Sequence, residues 1–184
     1  MTVITETGYS YISDHLFVNF LNTINGANSQ VTDLLMQESG TDKWLELMYS
    51  RELLNSEQFR KLKEETFDDG AIRDFRNRGR EYVLEGKHTE FISSLTGNVK
   101  QAPLYFDKHL NPVPSCGGSR GLLSLLSYKM LEAYQGNIFS KIKKCHSPAC
   151  YALFVDYSGR RKWCSMEICG NRTKARKHYA KKKE

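Results

Sequence analysis

Two pairs of cysteines near the carboxyl end constrain this chain more than any other feature. Four residues separate Cys145 from Cys150, four separate Cys164 from Cys169, and thirteen lie between the two pairs. Four thiolates at such spacing can converge on one tetrahedral metal ion. Because four protein ligands leave no position for water, the spacing predicts a structural metal centre rather than a catalytic one.

The rest of the sequence favours a metal over disulfides. The chain has no apolar run of the roughly 20 residues that a membrane helix needs, and no positively charged start followed by a hydrophobic stretch. We therefore expect a cytoplasmic protein with no membrane partner, in which cysteines stay reduced. One structural zinc ion is the expected cofactor, although the spacing alone leaves iron as an alternative. His146 could replace one thiolate, and we expect it to be a solvated neighbour instead.

The positive charge of the chain is concentrated around these cysteines. From Lys141 onwards there are thirteen Lys and Arg residues against three acids, a net charge of +10. Since the whole chain carries +6, residues 1–140 carry −4. A cationic end on an acidic body is typical of proteins that bind polyanions. The charge distribution therefore predicts a nucleic-acid partner, either DNA or RNA.

Residues 139–184 are predicted to form a small zinc module in which a β-hairpin precedes a basic helix. The predicted strands are residues 151–155 and 160–164, and the helix starts near Ser165. Ala152, Phe154 and Trp163 would form a small apolar cluster, to which the metal adds the missing stability. The cations of the return strand would contact phosphates, and Asn171 and Arg172 at the start of the helix are residue types that read adenine and guanine. The full set of candidate nucleic-acid contacts is Arg160, Arg161, Lys162, Asn171, Arg172, Lys174, Arg176 and Lys177.

Residues 1–138 are predicted to form a mainly helical domain with one short hairpin around Asp107, so that the fold class of the whole chain is mainly α. Glycines, caps and apolar spacing place the helices. They are expected over residues 15–25 and 32–39, then after a cap at Thr41 or Asp42, and from Ser56 with Asn55 or Ser56 as cap. A longer helix is expected to about Glu85 with a cap at Asp68 or Asp69, and another over 122–134 with a cap at Ser119. Cys116 is expected to be a free thiol. No catalytic motif emerges from the five scattered histidines or the acids, and we expect no enzyme activity.

Two segments resemble known families. The run W-C-S-M-E-I-C-G-N-R-T-K-A-R-K-H-Y at Trp163–Tyr179 closely resembles the CGNR zinc-finger family of bacterial proteins, and C-H-S-P-A-C-Y-A-L-F-V-D at Cys145–Asp156 is similar to its first ligand pair and strand. L-F-V-N-F-L-N-T at Leu16–Thr23 resembles the opening of the ABATE-type domain that usually precedes this finger, with Asn19 in place of the usual acidic residue.

The resemblance to these families implies four zinc ligands, Cys145, Cys150, Cys164 and Cys169, with Gly170-Asn171-Arg172 as the exit into the helix. It also implies a bacterial transcriptional regulator with a link to stress. We therefore expect a DNA-binding protein whose N-terminal domain senses a small-molecule effector or forms a homodimer. Two alternatives remain open. One is an RNA-binding protein that stacks bases on Tyr151, Phe154, Tyr157, Trp163 and Tyr179. The other is a protein-interaction finger attached to an enzyme domain.

Overall fold

The chain is mainly helical. A computed structural model describes residues 3–4, 8–27, 30–86, 90–148 and 150–175. Over these ranges the α-helices are α1 Leu16–Leu21, α2 Gly40–Ser50, α3 Ser56–Leu62, α4 Asp69–Glu85, α5 Glu90–Gln101 and α6 Gly118–Gln135. Two 3₁₀ turns, Leu34–Met36 and Phe139–Lys141, and a wide helical turn, Met166–Gly170, complete the helical structure of this part of the chain. The predicted fold class is confirmed.

The β-structure of the described ranges consists of four short antiparallel pairs. The strands are β1 Val3–Ile4, β2 Ser10–Tyr11, β3 Ile24–Ala27, β4 Gln30–Asp33, β5 Leu104–Phe106, β6 Pro112–Pro114, β7 Ile142–Lys144 and β8 Leu153–Val155. Each odd-numbered strand pairs with the next one. The β5–β6 hairpin is the one predicted around Asp107. The prediction of a single hairpin before residue 139 is wrong, because strands of two to four residues carry too few side chains to show an alternating pattern.

The helix predicted over residues 15–25 is shorter than expected. α1 ends at Leu21, and the Thr23 hydroxyl donates to the Phe20 carbonyl at 2.8 Å. Such a local bond offers the backbone an alternative to the helix, and β-branched residues such as Thr23 and Ile24 favour extended structure. The chain then enters β3. Because β3 pairs with β4, only a 3₁₀ turn remains of the helix predicted over residues 32–39.

The caps predicted for α3 and α4 are confirmed. Asn55 Oδ1 accepts from the Gln58 amide at 2.8 Å while Gln58 Oε1 accepts from the Asn55 amide at 2.9 Å, so that each side chain satisfies a free N–H at the helix start. Asp68 Oδ1 accepts from the Ala71 amide at 3.1 Å.

The cap predicted for α6 is wrong. Gly117 is the N-cap of α6, and Ser119 lies inside the first turn, where its hydroxyl accepts from the Asp68 amide. Gly118 has a φ of +57°, and a Cβ at this position would collide with the Thr66 carbonyl oxygen. The helix therefore begins where glycine allows this close approach.

α1 lies at the centre of the body, and all six of its residues are buried. The Phe20 ring contacts Trp44 edge-on, with 5.5 Å between the centroids, and lies 6.1 Å from Phe75. The stripe predicted on α4 faces this core: Ile72, Phe75 and Gly79 are buried, and Tyr82 and Val83 are half-buried. Hydrophobic burial by α1, α4 and α6 therefore organises the body.

A buried ion pair fixes α4 against β4. Arg76 donates from Nη1 and Nη2 to the two carboxylate oxygens of Asp33, at 2.6 and 2.7 Å, and Arg73 Nε donates to the same carboxylate at 2.8 Å. Burial acts to raise the pKa of Asp33, but the hydrogen bonds from Arg76 and Arg73 outweigh it and lower that pKa. The pair holds in place the helix that reaches the cysteine region one turn later.

β7 and β8 belong to the core of the body. Ile142, Leu153 and Val155 are buried in the same apolar cluster as α1 and α4. α1 packs against β8, and α4 packs against β7. A domain boundary near residue 138 stays a prediction, and the apolar packing continues across it.

None of the helices in the described ranges combines the length and the apolar character that crossing a bilayer demands.

Candidate metal centre

The four paired cysteines converge. The Sγ atoms of Cys145, Cys150, Cys164 and Cys169 all lie within 4.8 Å of one another. The Cys164 sulfur is 3.7 Å from that of Cys150 and 3.6 Å from that of Cys169. None of these four cysteines is joined in a disulfide, which would need sulfur atoms about 2.05 Å apart.

These separations fit a zinc ion. A tetrahedron with zinc–sulfur bonds of about 2.3 Å has sulfur–sulfur edges of about 3.8 Å. The Cys164–Cys150 and Cys164–Cys169 separations agree with this edge to within about 0.2 Å. Bound at the centre, zinc would act as a structural cross-link, because four thiolates complete its coordination.

The first cysteine pair lies in the loop of the β7–β8 hairpin. The Cys145 amide donates to the Ala152 carbonyl at 2.9 Å, and the Cys150 amide donates to the Ser147 carbonyl at 2.9 Å. The hairpin predicted from residues 151–155 and 160–164 is therefore wrong in one strand. The partner of β8 is β7, which precedes the cysteines, because Ile142 and Val155 pair and share the core of the body.

The second pair flanks the wide helical turn. Ser165 caps this turn by accepting from the Ile168 amide at 3.3 Å, and the Cys169 amide donates to the Ser165 carbonyl at 3.1 Å. The Cys164 amide points at the Cys145 sulfur at 3.5 Å. Residues 171–175 continue as α-helix, so the predicted helix start near Ser165 is confirmed. This start sets the direction of residues 171–175 relative to the metal ligands.

His146 lies outside the ligand set. Its amide donates to the Lys162 carbonyl at 3.0 Å, which joins the two cysteine loops. Its ring is exposed and meets Trp163 edge-on, with 6.0 Å between the centroids. His146 is thus a solvent-exposed neighbour of the cysteines, as expected.

Four thiols this close cannot all ionise without a bound cation. Hydrogen bonds from Cys150 and then Cys164 lower the pKa of Cys145 to about 2. The hydrogen bond to Cys145 raises the pKa of Cys150 to about 12, and hydrogen bonds to Cys145 and Cys150 raise the pKa of Cys164 as well. The Cys145 thiolate therefore opposes ionisation of Cys150 and Cys164, and a divalent cation is what allows four deprotonated ligands.

Asn22 ties β8 to α1. Its Nδ2 donates to the Leu153 carbonyl at 2.8 Å, and its Oδ1 accepts from the Leu153 amide at 2.8 Å. The side chain thus pairs with both backbone groups of Leu153, as a neighbouring strand would. Sequence reasoning identified Asn22 only as part of the Leu16–Thr23 resemblance. A polar residue directly after a mostly apolar helix was the available signal.

Arg80 of α4 reaches the loop that carries the first cysteine pair. Its Nη1 donates to the Leu21 carbonyl at 2.6 Å, and its Nη2 donates to the carbonyl of Tyr151, which follows Cys150, at 2.7 Å. Burial lowers the pKa of Arg80 to about 10, which leaves it a cation at neutral pH. Sequence reasoning missed Arg80, although it lies one turn after Arg76 on the buried side of α4.

Tyr151 also lies against the body. A Cβ on Gly26 would overlap Tyr151 Cδ2, so the tyrosine ring rests directly on the backbone of β3. Any side chain at position 26 would displace that ring. The segment after Cys150 is therefore fixed by three contacts, from Asn22, Gly26 and Arg80.

Arg161 is engaged within the zinc module. Its Nε donates to the Trp163 carbonyl at 2.9 Å, its Nη2 donates to the Cys164 carbonyl, and the guanidinium lies 4.6 Å from the centre of the Phe154 ring. A phosphate contact by Arg161 would require these bonds to break. Its assignment as a nucleic-acid contact stays a prediction.

The other predicted nucleic-acid contacts in the described ranges are exposed. They are Arg160, Lys162, Asn171, Arg172 and Lys174. Arg160 and Lys162 line an open groove of about 440 Å³ together with Trp163 and Met166. Arg176 and Lys177 lie outside the described residues.

The zinc module has a very small apolar cluster of its own. Phe154 is buried with three cysteines, and Ala152, Trp163 and Ile168 pack against it while remaining partly exposed. The predicted cluster of Ala152, Phe154 and Trp163 is confirmed. So few apolar groups cannot stabilise the second cysteine loop alone, which is the condition under which a structural metal is needed.

The comparison with protein families agrees with this geometry. Residues 141–182 match the CGNR zinc finger. The matched range begins just before β7 and includes all four cysteines, so this part of the chain is a zinc-binding module with a site for one zinc ion. No curated protein matches the chain.

Proposed function

We propose that this chain is a bacterial DNA-binding transcriptional regulator whose CGNR zinc finger contacts DNA. The observation that carries the proposal is a set of unpaired cations on the second half of the finger. Arg160, Lys162, Arg172 and Lys174 are exposed, and none forms an ion pair with an acid of the described ranges. Exposed cations that no carboxylate neutralises are free to replace the counterions of a phosphate backbone.

The helix after Cys169 presents two residue types that read bases. Asn171 and Arg172 are exposed at the beginning of this helix, directly after the last cysteine. An asparagine can bond adenine and an arginine can bond guanine in a major groove, while lysines position the protein on phosphates. Zinc bound by Cys164 and Cys169 would hold the start of this helix relative to β7 and β8.

The burial of the aromatic side chains favours duplex DNA over unpaired RNA as the partner. Phe154 is buried beneath Arg161, and Tyr151 and Trp163 are half-buried. Tyr157 is exposed, but its hydroxyl bonds His15 Nε2 at 2.6 Å. Base stacking needs open aromatic faces, so the described residues offer little of the surface that single-stranded RNA requires. Tyr179 lies outside the described residues.

In this proposal the body, residues 1–138, is an ABATE-type domain, as the resemblance at Leu16–Thr23 implies. It senses an effector or forms a dimer. The proposal assigns no catalytic activity to it. The competing hypothesis is an enzymatic body with a protein-binding finger. It would gain support from a metabolite bound in the groove of about 340 Å³ between the start of α1 and α6, which Asp14, His15, Glu52 and Glu132 help to line.

The test is a binding titration of the zinc-loaded full chain on duplex DNA by fluorescence anisotropy over a series of salt concentrations. The logarithm of the binding constant should fall linearly with the logarithm of salt, by about 0.9 for each phosphate neutralised. Replacing Arg172, Arg176 and Lys177 together by Ala should abolish binding. Replacing Lys100, Lys108 and Arg120, which are exposed cations of the body, should leave it unchanged.

Equal binding by the two triple variants would refute the DNA-binding role of the finger. Preference for a structured RNA over the duplex at matched salt would support the RNA alternative instead. Mapping of bound nucleic acid from cells, with Cys164→Ser as the control, would then identify the target sequences.

A further inference from the structure

We propose that Arg80 of α4 is the counter-charge of the zinc site, so that the body of the protein sets the zinc affinity of the finger. The proposal concerns metal binding alone and is independent of whether the finger binds DNA.

The zinc site needs positive charge close to it. Four thiolates and one Zn²⁺ carry a net charge of two negative units. Three of the four ligands are at most 4% exposed: Cys145, Cys164 and Cys169. A buried anionic cluster is costly unless cations or hydrogen-bond donors compensate it.

Arg80 is a buried cation without a carboxylate partner. It is 7% exposed, and among the described residues no acid lies within ion-pair distance of it. Its two hydrogen bonds go to the backbone carbonyls of Leu21 and Tyr151, which are neutral. A guanidinium held in this way keeps its charge, and the described residues of the body offer no carboxylate to balance it.

The neighbouring arginine on the same helix shows the contrast. Arg76, one turn earlier and 1% exposed, is matched by the Asp33 carboxylate at 2.6 Å. Arg80 instead points at the residue that follows Cys150, and the charge of that cysteine favours the protonated guanidinium. In this proposal the thiolate cluster balances the charge of Arg80, as the Asp33 carboxylate balances that of Arg76.

The position of Arg80 makes it a positioning residue for the metal rather than a ligand. Its bond to the Tyr151 carbonyl fixes the backbone directly after Cys150. Groups that orient or compensate metal ligands from outside the coordination shell typically change metal affinity by about 10–100-fold when they are removed. We expect the same range here.

The experiment compares Arg80→Gln with Arg80→Lys in the full chain. Both variants keep a hydrogen-bond donor, but only lysine keeps the charge. Zinc dissociation constants are measured by competition with a chelator of known affinity, and helical content is checked by circular dichroism. Arg80→Gln should bind zinc about 10–100-fold more weakly, while Arg80→Lys keeps most of the affinity.

Arg78→Met is the matched control. Arg78 lies on the same helix, is partly exposed and approaches Asp74 at 3.9 Å, so its loss should leave zinc affinity unchanged. Wild-type affinity in Arg80→Gln would overturn the proposal. Equal weakening in Arg80→Gln and Arg80→Lys would also overturn it, because the effect would then come from the arginine's hydrogen bonds and not from its charge.

A measurement on the wild-type protein decides the matter if Arg80→Gln does not fold. Solvent exchange of the Arg80 guanidinium protons is followed by NMR with and without zinc. Removal of zinc should speed exchange at Arg80 and leave Arg76, which keeps Asp33, unaffected. Identical exchange at Arg80 in both states would contradict the proposed charge pairing.

Discussion

The body and the zinc finger are stabilised by different forces. The core of the body contains more than twenty buried hydrophobic side chains, whereas in the finger cluster the buried members within the described ranges are Phe154 and three cysteines. Each large apolar side chain that leaves water contributes about 1.5–3 kcal/mol. The body can therefore fold by hydrophobic burial, and the finger cannot.

The same difference divides the finger itself. Its first half, β7 and β8, shares the core of the body and is bonded by Asn22 and Arg80. In its second half, residues 160–175, half of the residues are exposed, and this half carries the unpaired cations. Zinc would thus link β7 and β8, which the body already stabilises, to residues 160–175, which have few stabilising contacts of their own. This arrangement implies that loss of zinc and loss of the core should have unequal consequences.

Loss of one zinc ligand tests this asymmetry most strongly. Cys164→Ser should release zinc, which contributes on the order of 10–16 kcal/mol in zinc-finger peptides. Residues 160–175 should then lose backbone protection, while β7, β8 and the helices of the body keep theirs. Hydrogen–deuterium exchange with mass spectrometry measures both regions in one experiment.

Cys116→Ser is the control for that variant. Cys116 is a free thiol in the body and does not belong to the four-cysteine cluster. Its replacement should leave exchange in residues 160–175 as in the wild type. Loss of protection throughout β8 in Cys164→Ser would show that the body does not hold the first half of the finger.

A substitution in the core of the body should destabilise the finger as well as the body. Phe20 is fully buried against Trp44 and Phe75, and Phe20→Ala should lower the free energy of unfolding by about 3–5 kcal/mol. Because β8 packs against α1, the finger should unfold together with the body even in excess zinc. Urea unfolding followed by far-ultraviolet circular dichroism and by zinc release should give coincident transitions. If the finger kept its zinc after the body had unfolded, its folding would not depend on the core of the body, contrary to this prediction.

Asn22→Ala should remove the side-chain hydrogen bonds that join the body to β8 of the finger. The variant leaves the buried amide and carbonyl of Leu153 without partners, and each such group costs about 1–3 kcal/mol, so we expect a loss of about 2–6 kcal/mol in urea unfolding. Asn98→Ala is the matched control. Asn98 is half-buried and donates to Ser127 at 3.0 Å, and its loss should cost about 1 kcal/mol. Equal costs would mean that Asn22 does not join the finger to the body.

The smallest expected effect is a pH dependence at His15. Burial lowers the pKa of His15 below its ordinary value of 6.5, so the unfolded chain binds the proton first. The stability that neutral His15 contributes is present above pH 6.5 and is lost as the pH falls through the lowered pKa. Thermal unfolding of zinc-saturated protein between about pH 7 and pH 5 should therefore show a flatter dependence in His15→Gln than in the wild type.

His109→Gln serves as the control for the titration, because His109 is exposed. It should follow the wild-type curve. A wild-type curve in His15→Gln would show that the protonation of His15 does not contribute to the pH dependence of stability.

The sequence was most informative where structure depends on neighbours along the chain. The cap at Asn55, the buried stripe from Ile72 to Gly79 and the spacing of the four cysteines are all local patterns, and each was predicted. A helix cap or a turn of ligands needs only the residues within about four positions, so periodicity and spacing contain the information.

The errors arose where distant segments meet. The choice of β7 rather than residues 160–164 as the partner of β8 depends on the core of the body, which buries Ile142 and Val155. Arg80 and Tyr151 are 71 positions apart, and Arg161 turns inward because Phe154 and two carbonyls receive it. No pattern within one segment records such contacts. A buried-face arginine without a local acid is the one signal that could have pointed to them.

The shared side of the hairpin limits how the finger can be moved between proteins. If residues 139–184 were transplanted onto an unrelated carrier, Ile142, Leu153 and Val155 would be left facing water, and the Leu153 backbone would lose Asn22. Successful chimaeras will need the surface of α1 and α4 that receives this hairpin. For protein engineers, the smallest transferable unit is therefore a structural patch from three separate segments of the chain and not a continuous stretch of sequence.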